Sequence, residues 1–126
     1  MFRATLEIEN HKYPLSSVNV NVYNRGSDYE PNPQDQTMNF QVKSVNVDKF
    51  LTDWISGKTV TKKSGVIVIT DLDTNSVFQT YSFAQAFCTS YTISFYLQSE
   101  DSNQTNITIA GKVSVHSAAS EAPGGV

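Results

Sequence analysis

Apolar and polar side chains alternate at every second residue along most of this chain, and this alternation constrains the fold more than any other feature. A period of two is that of a β-strand with one buried face and one wet face. The pattern recurs in residues 18–22 and 38–42, and a polar turn at residues 10–12 predicts a hairpin of the first two strands. It is clearest in residues 2–8, where the apolar side is formed by Phe2, Ala4, Leu6 and Ile8.

The composition favours a single mostly β domain. The chain has 126 residues, of which 39% are hydrophobic and 17% charged. A low share of charge with abundant Thr, Ser, Asn and Val disfavours coiled coils, helical bundles and charged disordered chains. A chain of this length can bury a core without disulfides or metal ions. We expect one domain over residues 1–116 and a disordered tail over residues 117–126.

The distribution of charge and apolar residues excludes several classes of partner. The net charge is −3, and the largest basic cluster is the pair Lys62 and Lys63, whereas nucleic-acid binders carry a basic stripe. The longest fully apolar run, residues 66–69, cannot span a membrane. Residues 1–15 contain no apolar signal-peptide core. We therefore expect synthesis in the cytoplasm without a signal peptide, and any export to require a dedicated machine.

One short helix is predicted between the third and fourth strands. Its apolar residues fall at the i, i+3, i+4, i+7 and i+8 positions of a single stripe that starts at Val47. Asn46 is the predicted N-cap and Gly57 the predicted residue after the C-cap. About ten residues cannot form a stable helix alone. The stripe is therefore expected to pack on the sheet through the core anchors Phe50, Leu51, Trp54 and Ile55.

Residues 24–37 form a long polar loop punctuated by Gly26, Pro31 and Pro33. Loops of this length in compact domains tend to be functional or disordered. The segment is either a surface loop or an arm that contacts a neighbouring subunit, in which Tyr29 would be the best anchor because aromatic residues are enriched at interfaces. The candidate contact residues are Asp28, Tyr29, Glu30, Asn32 and Gln34.

The second half of the chain also predicts strands. Residues 66–69 and 77–83 flank a polar turn, and residues 107–115 form a last strand. Between them, residues 83–97 are too long for an ordinary strand, so we predict a bend near residues 87–90. One side is expected to carry Phe83, Phe87, Tyr91, Ile93, Phe95 and Leu97, and the other the mostly small Ala84, Ala86, Cys88, Ser90, Thr92, Ser94 and Tyr96. The sum is a sandwich or barrel of about seven strands with one flanking helix.

The acidic turn of the second hairpin does not predict a metal site. Asp71, Asp73 and Asn75 match the opening of a calcium loop, but Ser76 and Ser82 stand where that loop needs Gly and Glu. A plain hairpin turn is the better interpretation.

The remaining reactive side chains do not form a recognisable catalytic pattern. His11 and His116 lie near opposite ends of the chain and are expected to be solvent-exposed, and Cys88 is expected to be a small, partly buried apolar residue. No phosphate-binding loop or nucleophile elbow is present. We predict a protein that is not an enzyme and has no cofactor.

The order and spacing of these elements resemble the tube proteins of type VI secretion systems, the haemolysin-coregulated protein family, in the form found in Bacteroidota. The resemblance covers residues 2–115. It departs from the family in the tail EAPGGV and in the lone Cys88. The segments that carry it are FRATLEIENHKYPL, the Val/Asn strand, the polar Pro/Gly loop, FQVKSV, VDKFLTDWI, KKSGVIVITD and SFAQAFCTSYTISF.

The resemblance implies a β-barrel-like fold and a structural role. Family members form hexameric rings that stack into a hollow tube inside a contractile sheath, and contraction expels the spike-tipped tube from the cell. The rings can carry effector proteins in the channel. The implied partners are other copies of the chain, sheath and spike proteins, and effectors, with assembly in the cytoplasm followed by secretion.

Three alternatives remain at this point. A tube subunit of a phage-tail-like contractile injection particle would have a similar sequence. A monomeric carbohydrate-binding sandwich could use Tyr81, Tyr91 and Tyr96 as an aromatic platform, although such modules normally carry an export signal. A small hydrolase would need Cys88 in contact with a histidine.

Overall fold

The computed structural model describes residues 1–21, 36–57, 62–98 and 103–117, and these form six strands and one α-helix. The predicted mostly β fold is confirmed. The strand count is six because the segments predicted at residues 77–83 and 83–97 are one continuous strand. The elements are β1 (Phe2–Ile8), β2 (His11–Asn21), β3 (Thr37–Lys43), α1 (Lys49–Ile55), β4 (Lys63–Asp71), β5 (Ser76–Ser94) and β6 (Gln104–Ser117).

The strands form a closed antiparallel barrel in the order β1-β2-β3-β6-β5-β4. The β1–β2 turn consists of Glu9 and Asn10, with φ values of 47° and 72°, and Ile8 pairs with His11. The turn predicted at residues 10–12 therefore begins one residue earlier and ends two residues earlier than expected. Two-residue turns with positive φ at both positions match the twist of paired strands, so His11 already belongs to β2.

Three long strands, β2, β5 and β6, change partners along their length. Residues 11–15 of β2 pair with β1, whereas residues 16–21 pair with β3 alone among the described strands. Likewise, β5 pairs with β4 only as far as Ala86. One antiparallel unit of four strands results, which we call the four-stranded sheet. It consists of residues 15–21 of β2, all of β3, residues 104–110 of β6 and residues 87–94 of β5.

The predicted bend in β5 is built from two bulges. The pairing with β6 shifts by one residue between Ala84 and Phe87 and again between Cys88 and Ser90. Gln85 has a φ of 52°, which is unusual for a side chain other than glycine. Opposite it, a Cβ on Gly111 would lie 2.9 Å from the Ala84 carbonyl oxygen. Only glycine allows this close approach without displacement of the backbone.

The bulges correct the predicted faces of residues 83–97. Each extra residue reverses the alternation once. Phe83 and Ala86 are therefore both buried, although the sequence pattern placed them on opposite sides. Phe87, which the pattern grouped with Phe83, pairs with Ala110 on the opposite face of the sheet.

The hydrophobic core fills the inside of the barrel, and α1 packs over one end of the barrel. Trp54 stacks on Phe83 with ring centroids 6.1 Å apart. Phe50 is only half-buried, and His11 stacks on its ring at 3.9 Å. His11, which was expected to be solvent-exposed, is therefore covered on one side and keeps 39% of its side chain exposed. Fully or nearly fully buried residues include Leu6, Ile8, Met38, Phe40, Val42, Leu51, Trp54, Ile55, Ile67, Ile107 and Ile109.

The N-cap of α1 is Asp48 rather than Asn46. Asn46 ends a 3₁₀ turn (Ser44–Asn46) that follows β3, and the helix has seven residues rather than about ten. The Asp48 carboxylate accepts hydrogen bonds from the Leu51 backbone N–H at 2.9 Å and from the Tyr13 hydroxyl at 2.8 Å. Gly57 follows the C-cap with a φ of 72°, as predicted. This α-helix is too short to cross a membrane, and no other helix among the described residues is a candidate for doing so.

The hydrogen bonds around Asp48 change the pKa values of both partners. Burial opposes ionisation of Asp48, but the bonds from Leu51 and Tyr13 and the proximity of His11 outweigh it and lower its pKa. Burial, together with the Asp48 carboxylate, raises the pKa of Tyr13. The charged carboxylate thus ties the helix N-terminus to β2.

Trp54→Ala is expected to lower the free energy of unfolding by about 3–5 kcal/mol, because the indole is buried against Phe83. The indole N–H has no hydrogen-bond partner in the described part of the chain, so the loss is one of packing. Thr52→Ala on the exposed side of α1 is the control, with a change within about 0.5 kcal/mol. Urea unfolding followed by circular dichroism measures both, since the variant lacks the only tryptophan. A loss below about 1 kcal/mol for Trp54→Ala would contradict this packing.

Asp48→Ala is expected to destabilise the fold by about 1–2 kcal/mol at neutral pH through loss of the cap. Because the pKa of Asp48 is lowered on folding, its charge stabilises the fold above the ordinary value of 3.8. That stabilisation is lost as pH falls through the folded-state pKa. The difference between wild type and variant should therefore shrink on acidification to about pH 3. Asp48→Asn, which retains a capping oxygen, should lose less stability at neutral pH, and an unchanged difference for Asp48→Ala at acid pH would contradict this account.

Candidate assembly surfaces

The outer face of the four-stranded sheet is polar and almost uncharged. It is the face opposite Met38, Phe40 and Val42, which are completely buried. Phe87 and Ala110 are its apolar members, and Lys43 is the one charged residue among its described strand positions. Lys62, just before β4, places its Nζ 6.0 Å from the centroid of the Phe87 ring. The polar members that share this face by register are Ser17, Asn19, Asn21, Thr37, Asn39, Gln41, Lys43, Ser90, Thr92, Ser94, Gln104, Asn106 and Thr108.

Side-chain hydrogen bonds cross this face from strand to strand. Asn39 Nδ2 donates to Thr108 Oγ1 at 2.7 Å, and Asn21 Nδ2 donates to Thr37 Oγ1 at 3.3 Å. Ser16, at the β2 bulge, donates to Gln104 Oε1 at 2.8 Å. These cross-strand pairs stabilise the sheet. The outer surface of the sheet therefore consists mainly of hydrogen-bonded amide and hydroxyl groups.

The four-stranded sheet has two uncovered edges on opposite sides. Residues 16–21 of β2 pair with β3 on one side, and residues 87–94 of β5 pair with β6 on one side. No described strand pairs with the other side of either segment. Uncovered edges expose backbone N–H and C=O groups that can pair with another chain.

Apolar side chains accompany the β5 edge. Tyr91 pairs with Ile107 and Ile93 pairs with Thr105, so both lie on the core-facing side of the sheet. They are nevertheless 43% and 49% exposed, whereas Ile107 and Thr105 are buried. The core of the chain ends at β6 and leaves these two side chains uncovered, and the apolar surface continues past the strand into Phe95 and Leu97.

A cavity of about 500 Å³ lies beside the β2 edge. Its wall on the four-stranded sheet includes Val18 and Val20, which pair with the buried Phe40 and Met38. The opposite wall contains Tyr81, whose hydroxyl donates to Gln79 Oε1 at 3.2 Å. The described residues that line it are Val18, Asn19, Val20, Ile69, Gln79, Tyr81 and Val115.

The outer face of the other side of the barrel differs in charge. There β1 and β2 present Arg3, Glu7 and Lys12, with Glu7 paired opposite Lys12. The barrel thus has a charged outer face on one side and a nearly neutral one on the other.

Only some of the predicted site residues belong to the part of the chain that the structure describes. Asp28, Tyr29, Glu30, Asn32 and Gln34 lie outside the described residues, as does the predicted tail except for Ser117, which ends β6. Leu51, Trp54 and Ile55 are buried in the core, and Phe50 packs against its margin. The two uncovered edges and the cavity had no counterpart in the sequence analysis. The unusual length of residues 83–97 was the one signal that pointed toward them.

The cysteine and the two histidines considered as catalytic or metal-binding groups do not lie together in one site. Cys88 Sγ donates to the Ser90 carbonyl oxygen at 3.2 Å, and burial raises the pKa of its thiol. His11 contacts Phe50 and Asp48, whereas His116 pairs opposite Thr80. The described residues contain no cluster of His, Cys, Asp and Glu that could hold a metal ion.

The proposed aromatic platform is also dispersed. Tyr81 lines the cavity, and Tyr91 lies ten residues farther along β5, beyond both bulges. Tyr96 lies past the end of that strand, where its backbone N–H donates to Asn103 Oδ1. The three rings therefore do not form one flat surface.

Comparison with protein families gives one match over nearly the whole chain. The family model described as hemolysin coregulated protein Hcp (TssD) matches residues 1–122. A search of curated protein sequences gave no significant match.

Solved structures with the same fold include two Hcp1 proteins and a chain of an extracellular contractile injection system. Hcp1 from Flavobacterium johnsoniae is 15% identical with a TM-score of 0.70, covering 92% of this chain and 96% of its own. A chain of the PVC sheath-tube complex of an extracellular contractile injection system is 25% identical with a TM-score of 0.63, covering 92% and 89%. Hcp1 from Salmonella typhimurium is 9% identical with a TM-score of 0.63, covering 90% and 91%.

Proposed function

The chain belongs to the hemolysin coregulated protein (Hcp, TssD) family, and we propose that six copies close into rings that stack into the inner tube of a type VI secretion system. It is thus a tube subunit of a contractile injection machine. The observation that carries the proposal is the pair of uncovered edges on opposite sides of one four-stranded sheet.

The strand directions allow these edges to join around a ring. Four antiparallel strands alternate in direction, so the β2 and β5 edges run in opposite directions. Rotation about an axis roughly along the strands preserves these directions in every copy. The β5 edge of one copy can then pair antiparallel with the β2 edge of the next, which is a head-to-tail contact that closes by rotation.

In such a ring we assign the polar outer face of the four-stranded sheet to the channel. The face is rich in amides and hydroxyls, with Lys43 as the one charged residue among its described strand positions. A wall sparse in charge exerts little electrostatic attraction on passing proteins. This supports transport of effector proteins through the channel, with no cofactor involved.

The charged outer face of β1 and β2 is then directed away from the channel. This orientation fits contact with a surrounding sheath, which in turn contracts and expels the tube behind a spike. The PVC chain of similar fold belongs to a sheath-tube complex. Assembly would take place in the cytoplasm, followed by secretion.

The carbohydrate-binding alternative is not favoured. The family match accounts for residues 1–122, and the three tyrosines proposed as a platform are dispersed along the fold. A tube of a phage-tail-like injection particle stays close to our proposal, because chains from such particles share the fold.

Light scattering combined with negative-stain microscopy tests the ring directly. Six copies of the 13.9 kDa chain give a particle of about 83 kDa with an open centre. A monomer at all accessible concentrations, without open-centred particles, would contradict the proposal.

Deletion of residues 28–34 tests the proposed ring-stacking contact of Asp28, Tyr29, Glu30, Asn32 and Gln34. We expect rings to form normally, whereas stacking into tubes and secretion should be lost. A variant that replaces the same seven residues by Gly and Ser separates length from side-chain recognition. Normal tube growth by the deletion variant would show that this segment does not connect the rings.

A further inference from the structure

We propose that the cavity beside the β2 edge is a docking site for Tyr91 and Ile93 of a second copy, so that each subunit completes the core of its neighbour. The inference rests on the proposed ring, and it names the contact that the ring needs. It differs from backbone pairing because it assigns an apolar side-chain site to a particular pair of residues.

The register places both partners on the same side of the sheet. Val18 and Val20 pair with Phe40 and Met38, which are completely buried, so the two valines lie on the core-facing side at the β2 edge. Tyr91 and Ile93 occupy the core-facing side at the β5 edge. Directly paired residues of antiparallel strands share a face, so joining the two edges makes these core faces continuous.

One surface projects apolar side chains, and the other is a cavity with both apolar and polar walls. One edge projects two half-exposed apolar side chains, and the other borders a cavity of about 500 Å³. The described lining combines the apolar or aromatic residues Val18, Val20, Ile69, Tyr81 and Val115 with the amides Asn19 and Gln79. Burial of apolar side chains in such a site is favourable.

The polar groups of the cavity can satisfy the hydroxyl that Tyr91 brings. Tyr81 already donates to Gln79 Oε1, whereas the Gln79 amide NH₂ supplies two further donors. A tyrosine hydroxyl can accept one of them. Tyrosine is suited to an apolar site with one polar group because its ring is apolar and its tip is polar.

A second copy fits this site better than a small ligand. A small ligand would fill the cavity yet leave Tyr91 and Ile93 exposed at the other edge. A copy of the same chain covers both surfaces at once. A projection and a hollow on opposite edges of one chain allow a head-to-tail contact, and such a contact forms a ring when the rotation between copies closes.

Ile93→Asp tests the docking site, and Thr92→Asp is its matched control. Both introduce the same charge at adjacent, exposed positions of β5, but Thr92 lies on the channel face and Ile93 on the core-facing side. At a concentration where the wild type forms rings, we expect Ile93→Asp to reduce the ring fraction at least tenfold. Thr92→Asp should keep it within twofold of the wild type. Circular dichroism should show that both variants remain folded.

Cysteine cross-linking locates the contact independently of stability. In a Cys88→Ser background, Ile93→Cys is combined with Val18→Cys or with Val20→Cys. Oxidation should give a reducible ladder of linked subunits in at least one combination, because a disulfide requires Cβ atoms about 4 Å apart. The control combines the same valine changes with Thr92→Cys, whose side chain points to the opposite face, and should stay unlinked.

The outcomes separate this inference from the proposed function. Rings that persist in Ile93→Asp, or that form without a cross-link from position 93 to position 18 or 20, would overturn the docking site and leave the tube subunit intact. Equal loss of rings in Thr92→Asp would also overturn it, because the effect would then be one of charge near the edge. Absence of rings in the wild type would instead overturn the proposed function itself.

Discussion

The structure depends on the tight approach of β5 and β6 at the bend around Gly111. There a Cβ would lie 2.9 Å from atoms of Ala84 and Ala86, and Gln85 adopts a positive φ on the opposing strand. The two bulges nearby let one 19-residue strand pair with β4 over its first half and extend beyond it over its second. The second half of β5 therefore pairs with β6 alone among the described strands.

The bend also separates two halves of β5 that have different surroundings. On the near side, Phe83 stacks with Trp54 and joins α1 to the barrel. The N-terminus of α1 is fixed to β2 through Asp48 and Tyr13. These contacts lie within one chain, whereas the far half of β5 leaves its outer edge and its apolar residues Tyr91 and Ile93 uncovered by the described strands.

Uncovered β-edges promote unwanted association, and the described strands of this barrel leave two edges unpaired. In a closed ring that feature becomes the assembly interface, since every edge meets the complementary edge of a neighbour. The nearly neutral polar face, with its Asn39–Thr108 and Asn21–Thr37 hydrogen bonds, then faces the channel. In the proposed ring, the same sheet supplies part of the apolar core, the edges that join neighbouring copies and the polar wall of the channel.

The sequence by itself determined the local elements of this protein and, through their order, its family. Alternation fixed β1 and β3, because the period of side chains along a strand is a local property. The helix stripe ending before Gly57 was equally readable. The local sequence did not predict the N-cap of α1 correctly, because two nearby residues can both serve as caps. Asn46 and Asp48 are both good caps, and the 3₁₀ turn after β3 decided between them.

Only the tertiary structure decided which side chains and strand edges the described elements leave uncovered. The side on which Phe87 lies depends on single-residue bulges, and each bulge inverts the alternation without changing the composition. The exposure of Tyr91 and Ile93 depends on where β4 stops pairing, which is a relation between residues distant in the chain. The cavity at the β2 edge likewise joins side chains from four strands. A pattern of hydrophobicity states that a residue can be buried, whereas the partner that buries it is set by packing in three dimensions.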